Sequence, residues 1–394
     1  MYGKEELAEL SEVISEKSPF RYYGLGVPNK TDAFEKKVRA YFGTKFSLAL
    51  SSGTGALFCA VAALGIGPGD EIILPTFGWF SDYYAITNMG AIPIFADIDE
   101  SLSLDPVDFE EKITPATKAV IIIAFQGGSP NMDAIMEIAN KYDIRVIEDI
   151  SQGFGTEFNG KKLGTFGHVA IASFQFNKVL CCGEGGLLLT NSEKYFVRAV
   201  RYHDLGLIRP LFADQVEDKQ LLNETESFAG NQYRMSELAG AVLLAQFDRL
   251  ESMLDVCRAY HNQIRVFFSS NTNFSIRWNE GDIGVCIILL FQSQQEASCF
   301  EECLSAEGIP LGAKSACRNL MTQYPIKSNR LAHPMLPPFV QGSQFIDYEN
   351  LNTHMKTDGI LARLVTINIG PLFSDNDILD IIKSVKKVND NLYP

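Results

Sequence analysis

Three short stretches of the chain place chemically capable residues at the ends of apolar runs. The first is the turn Ser51-Ser52-Gly53-Thr54-Gly55, between the apolar run 47–50 and the helix-forming stretch 56–64. Backbone N–H groups at a helix start, the positive end of the helix dipole and the hydroxyls of Ser51, Ser52 and Thr54 can cradle a phosphate. A capped helix with a glycine turn gives the same pattern without a ligand. The second is the pair Glu148 and Asp149, where the apolar run 145–150 ends. A carboxylate facing a crevice there is costly unless a cation meets it. A protonated ring nitrogen or a metal would do so, and a helix cap or structural salt bridge would serve equally. The third is Lys178, the one charged residue between Val169 and Cys182, followed by a Gly-rich turn at 183–186. A partly desolvated lysine has a lowered pKa and can attack a carbonyl to form a Schiff base. The plainer alternative is a solvated surface lysine.

One pattern is a decoy. Residues 155–161 resemble a Walker A loop, but Lys162 stands where Ser or Thr would hold magnesium. Asn159-Gly160 between short polar runs predicts a hairpin turn instead.

Such residues need a scaffold that gathers strand ends on one side. Apolar runs at 47–50, 71–74, 92–96, 119–125, 145–150 and 169–176 alternate with helical stretches at 56–64, 105–113 and 132–142. That alternation predicts an α/β fold with a mostly parallel sheet covered on both faces. Ligands of such sheets bind beyond the carboxyl ends of the strands. The polar stretch 206–230 predicts a long surface loop, and 236–255 an amphipathic helix. A strand at 285–291, a helix at 295–307, a Pro-rich loop at 324–338 and a helix from Asp375 predict a smaller α+β domain. The expected division is 1–255 and 256–394.

Composition narrows the function. The 394 residues carry 34 basic and 48 acidic side chains, and 34 − 48 gives a net charge of −14. An acidic balance argues against nucleic acid as partner, because neutralising phosphates takes a basic face. It leaves room for a small anion in a locally positive pocket. The longest apolar runs, such as 119–125, are too short to span a bilayer. The acidic, amphipathic N-terminus is not that of a secretory signal, so the cytoplasm is the expected location. Eight cysteines without a CxxC pair read as reduced, mostly buried thiols. Five scattered histidines predict no metal site.

Phosphate turn, strand-end aspartate and lysine, in that order on alternating α/β, describe a fold-type I pyridoxal-phosphate (PLP) enzyme. The chain resembles the DegT/DnrJ/EryC1/StrS aminotransferases from about Arg21 to its C-terminus. The resemblance is carried by SSGTGAL, GIGPGDEIILPTFGWFS, ITPATKAVI, VIEDISQGFG, SFQFNKVLCCGEGG and NQYRMSELAGAVLLAQ. It implies that Lys178 is the lysine of the internal aldimine. It implies that Asp149 pairs with the pyridinium nitrogen and keeps it protonated, so that the ring is an electron sink. It places Gln152 near the ring's 3-oxygen, Trp79 on the pyridine face, and Gly53, Thr54, Gly55 and Ser173 at the phosphate. Three positions depart from the family pattern. Gln232, after Asn231, stands where an Asn usually reaches the phosphate of the other subunit. Gln175 stands where many members have His, and other members with Gln include some acting on cyclitols. His168 stands where Asp is commoner, which reads as a structural difference. The retained Lys178 argues against the sugar-dehydratase branch, where His replaces it.

The implied activity is amino transfer from L-glutamate or L-glutamine to a keto-sugar, nucleotide-linked in the first reading. A cyclitol (scyllo-inosose-type) aminotransferase using glutamine is the alternative, suggested by Gln175 and by RYYG at 21–24. A PLP-binding regulator without turnover is a third reading, and the Cys181–Cys182 pair raises a lyase or desulfurase as a fourth. Sites of this fold type are completed across a two-fold interface, which implies a homodimer. Acceptor choice is expected from the N-terminal segment, the 206–230 loop and the loop bearing Lys314 and Arg318.

Overall fold

Nine strands make up the first part of the chain, seven of them in one sheet. They are β1 (Phe46–Leu50), β2 (Glu71–Pro75), β3 (Ile92–Ala96), β4 (Thr117–Ile123), β5 (Arg145–Asp149), β6 (Glu157–Phe158), β7 (Lys161–Lys162), β8 (Val169–Ser173) and β9 (Gly186–Thr190). The computed structural model describes residues 2–27, 29–312, 319–339 and 355–394. The sheet order is β1-β9-β8-β5-β4-β2-β3. β3, β2, β4, β5 and β8 pair in parallel, and β9 is antiparallel to both of its neighbours.

Both faces of this sheet are buried, and that explains its unbroken apolar strands. Along β4, Ala119, Ile121 and Ile123 pack into one apolar cluster, and Val120 and Ile122 into the other. Two strands end earlier than their apolar runs. β4 stops at Ile123, and Phe125–Gly127 forms a turn in which Gln126 takes a left-handed φ of 47°. β8 stops at Ser173, where the chain turns toward Lys178. The β6–β7 hairpin holds Asn159 at φ 50° and Gly160 at φ 74°. Positive φ at both central positions is what a type I′ hairpin turn requires, and the Walker A resemblance ends there.

Two expectations are corrected. The helix predicted over 236–255 is two helices, Glu237–Phe247 and Leu250–Phe267. The first is not amphipathic: residues 240–246 are all buried, because small and aliphatic side chains let it pack in the interior. The stretch 206–230 is not wholly a surface loop. It contains the short helix Pro210–Ala213, whose Phe212 is fully buried against Tyr22 and Phe196. A single apolar anchor in a polar segment leaves no periodic trace in sequence.

A second sheet orders β10 (Phe274–Ile276), β11 (Cys286–Phe291) and β12 (Leu364–Asn368), all antiparallel. Helices Gln294–Ala306 and Asp375–Leu392 cover it, with Ile287, Leu289, Phe300 and Ile381 in a shared core. No helix among the described residues is long and apolar enough to cross a membrane. The seven described cysteines are free thiols, four of them buried.

His261 makes the stability of this fold depend on pH. Its ring lies 4.4 Å from that of Trp278 and is 1% exposed. Burial, with Arg277 and Arg265 nearby, pushes its pKa down to about 3. In the unfolded chain the ring takes up a proton below its ordinary value of about 6.5, so its contribution is full above that pH and is lost on acidification. Urea unfolding at pH 7.5 and 5.5 is expected to show wild type losing about 1.4 kcal/mol more than His261→Gln. Equal losses would contradict a neutral buried ring.

Candidate active site

The carboxyl ends of β4, β5 and β8 open into a cleft of about 1350 Å³. Gly53, Thr54, Trp79, Asp149, Gln152, Ser173 and Lys178 line it. Asn319, Asp358, Thr366 and Asn368, from the part of the chain that carries the second sheet, line it too.

Successive residues of a strand face opposite ways, and this separates the paired acids of β5. Glu148 is fully buried and accepts the N–H groups of Gly164 at 2.6 Å, Phe166 at 2.8 Å and Gly167 at 2.6 Å. It pins a loop. Asp149 faces the cleft, and its Oδ1 accepts the N–H of Ser151 at 2.8 Å. Burial pushes its pKa up, while the Ser151 hydrogen bond and the charge of Lys178 pull the other way.

Helix Gly53–Leu64 begins at Ser52, whose Oγ accepts the N–H of Gly55 at 3.0 Å. That bond leaves the N–H groups of Gly53 and Thr54 without an acceptor among the described residues. A Cβ on Gly53 would fall 2.6 Å from Cβ of Ser173 and 3.0 Å from its Oγ. Glycine is therefore required for the helix start to stand beside the serine hydroxyl. Two open amides and a hydroxyl make an anion cradle.

Lys178 is half-buried on a turn that Gln175 organises. The Gln175 carbonyl accepts the Lys178 N–H at 2.9 Å, and its Oε1 accepts the Asn177 N–H at 2.9 Å. Gln152 Oε1 accepts the N–H of Gln126 at 3.3 Å. Trp79, 48% exposed, precedes helix Phe80–Asn88 at the edge of the cleft.

Two predicted residues stand apart. Gly55 does not line the cleft: its N–H is spent on the cap, and a Cβ there would fall 3.1 Å from the Tyr233 ring. Gln232 is exposed and away from the cleft, its backbone paired with Asp204. The side-chain amide of Asn231 donates to the Tyr202 hydroxyl at 2.8 Å. Arg21 forms a buried ion pair with Glu35 at 2.6 Å, and the Tyr22 hydroxyl meets His203 Nε2 at 2.8 Å. Neither they nor the 206–230 stretch line this chain's cleft. Lys314 and Arg318 lie outside the described residues.

Sequence reasoning passed over two groups. Asn319 donates to Asp358 at 2.9 Å across the cleft wall. These residues come from far along the chain, and no local pattern joins them to the first sheet. Asp82 is fully buried behind the cleft, next to Asp149. Its signal was a lone charge inside the aromatic stretch 77–84.

The fold is that of solved aminotransferases. The TM-score is 0.82 with the aminotransferase from Psychrobacter cryohalolentis, at 21% identity over 100% of this chain and 98% of that one. It is 0.81 with 3-amino-5-hydroxybenzoic acid synthase, at 21% identity over 99% and 97%. More particularly, the chain belongs to the DegT/DnrJ/EryC1/StrS aminotransferase family, whose model matches residues 3–311. It is 36% identical over 256 residues to the spore coat polysaccharide biosynthesis protein SpsC of Bacillus subtilis, 64% of each chain. It is 32% identical over 257 residues to GDP-perosamine synthase of Vibrio cholerae, 63% of this chain and 67% of that one. It is 34% identical over 227 residues to L-glutamine:2-deoxy-scyllo-inosose aminotransferase of Streptoalloteichus tenebrarius, 57% of this chain and 53% of that one. The chain thus spans about half to two thirds of these relatives' lengths.

Aminotransferases of this family depend on PLP, and the cleft fits it. The open amides of Gly53 and Thr54 suit a phosphate, Asp149 suits a ring cation, and Lys178 suits an aldehyde. Among the described residues no group of three or more His, Cys, Asp or Glu side chains could hold a metal ion.

Proposed function

We propose that the chain is a PLP-dependent aminotransferase moving an amino group from L-glutamate or L-glutamine to a keto-sugar, nucleotide-linked in the first reading. The observation that carries this is the convergence of Asp149, Lys178 and the Gly53–Thr54 amides on one cleft. PLP, when bound, supplies an aldehyde that exchanges amines and a ring that accepts electrons. Gly53, Thr54 and Ser173 would hold the phosphate, and Trp79 would cover the ring and exclude water. Gln152 orients the ring oxygen. Asp149 holds a proton on the ring nitrogen, which keeps the ring electron-poor. The Lys178 amine would take the proton from the donor's α-carbon and serve as acid for its return.

The outward position of Gln232 accords with a homodimer in which it reaches the partner's cofactor phosphate. The division into domains 1–255 and 256–394 puts the cleft at their junction, with helix Leu250–Phe267 crossing it. Free thiols favour a reducing, cytoplasmic location.

Adding L-glutamate or L-glutamine to PLP-loaded protein is expected to convert the visible spectrum to that of the aminated cofactor, with release of the matching keto acid. No change with either donor would overturn the reading and leave a PLP-binding protein without turnover. Gln175, at the cleft, favours a second reading, a cyclitol aminotransferase using glutamine. Amine formation on scyllo-inosose rather than on nucleotide-linked keto-sugars would select it.

A further inference from the structure

Asp82 is a buried acid beside the cleft that the chemistry above leaves unused. It lies in the first turn of helix Phe80–Asn88, is 0% exposed, and among the described residues no other side chain donates to either carboxylate oxygen. Its carboxyl lies against that of Asp149 on β5, and Lys178, from the turn after β8, is the cation whose field reaches both. Two carboxylates side by side away from water cannot both be ionised, because each adds to the other's desolvation cost. One proton between them resolves the conflict.

The two sites are not equivalent. Asp149 has the Ser151 N–H on Oδ1 and lines the cleft, where a cation can approach. Asp82 has at most its own backbone N–H beside it, no donor from another described residue, and lies behind the cleft. Negative charge is therefore cheaper on Asp149, and the proton belongs to Asp82. Burial and the Asp149 charge both push the Asp82 pKa up, consistent with that order.

We infer that Asp82 is a positioning residue: held neutral, it donates a hydrogen bond to the Asp149 carboxylate, fixing that group's orientation and keeping its charge directed into the cleft. The inference rests on the reading of Asp149 as partner of the PLP ring nitrogen. In that case Asp82 acts on the ring through Asp149 and touches no substrate.

The test compares wild type with Asp82→Asn, which keeps a donor of the same shape, and Asp82→Leu, which removes it. In the cofactor-free protein at pH 7, infrared difference spectra should show a protonated carboxyl in wild type that is missing from Asp82→Asn. PLP affinity, read from quenching of tryptophan fluorescence, should stay within about threefold in Asp82→Asn and fall about tenfold or more in Asp82→Leu. A side chain that mattered only for packing would give no such rescue by Asn. The inference is overturned if the protonated carboxyl persists in Asp82→Asn, or if Asp82→Leu binds PLP as tightly as wild type. Should wild type take up no PLP, the aminotransferase reading falls, and the infrared comparison still decides where the proton resides.

Discussion

Lys178→Ala is expected to lower amino transfer by about 10⁴-fold, the upper end of what a positioned proton carrier contributes. The loss would be large because the proposed reaction gives one amine two tasks, linking covalently to the cofactor and moving the proton at the reacting carbon. The fold should be untouched. The turn that carries Lys178 is held by the Gln175 carbonyl and Oε1, not by the lysine side chain. Folding stability and non-covalent PLP binding at the Gly53–Thr54 cradle are therefore expected to survive, and the band of the covalently linked cofactor to vanish. Turnover within tenfold of wild type would mean that another group moves the proton.

Asp149→Asn is expected to cost about 10³-fold in kcat, the equivalent of about 4 kcal/mol for losing one partner of a buried charge pair. Asparagine has the same shape and can still accept the Ser151 N–H, but it cannot hold a proton on the ring nitrogen. The effect should fall on kcat more than on KM, because ring charge matters most where the carbon–hydrogen bond breaks. The same change should leave the cofactor-free chain at least as stable as wild type near pH 7, because it removes a buried carboxylate from beside Asp82. A loss of activity below tenfold, or a strongly destabilised apo-protein, would contradict this role.

How much of this was legible beforehand follows physical lines. Strands buried on both faces must be apolar throughout, so β1–β5 and β8 were visible in sequence within a few residues. Their ends were less visible. Apolarity continues into the turns at Phe125 and Phe174, where burial persists after pairing stops. The cleft residues that were found lie in local motifs: Gly53 and Thr54 at a helix start, Asp149 at a strand end, Lys178 before a Gly-rich turn. Composition alone could not tell Glu148 from Asp149, because only the pleat decides which faces the cleft. Gly55 lies outside the cleft lining for a subtler reason, since a cap takes one of the amides that a Gly-rich turn offers a ligand. Asn319, Asp358 and Asp82 were missed because their significance arises from contacts made only in the folded chain.

Reducing the PLP-loaded protein with borohydride, digesting it and locating the fixed cofactor by mass spectrometry tests the central claim most directly. The account predicts the label on the peptide containing Lys178 and on no other lysine. A label on a different lysine, or none at all, would contradict it.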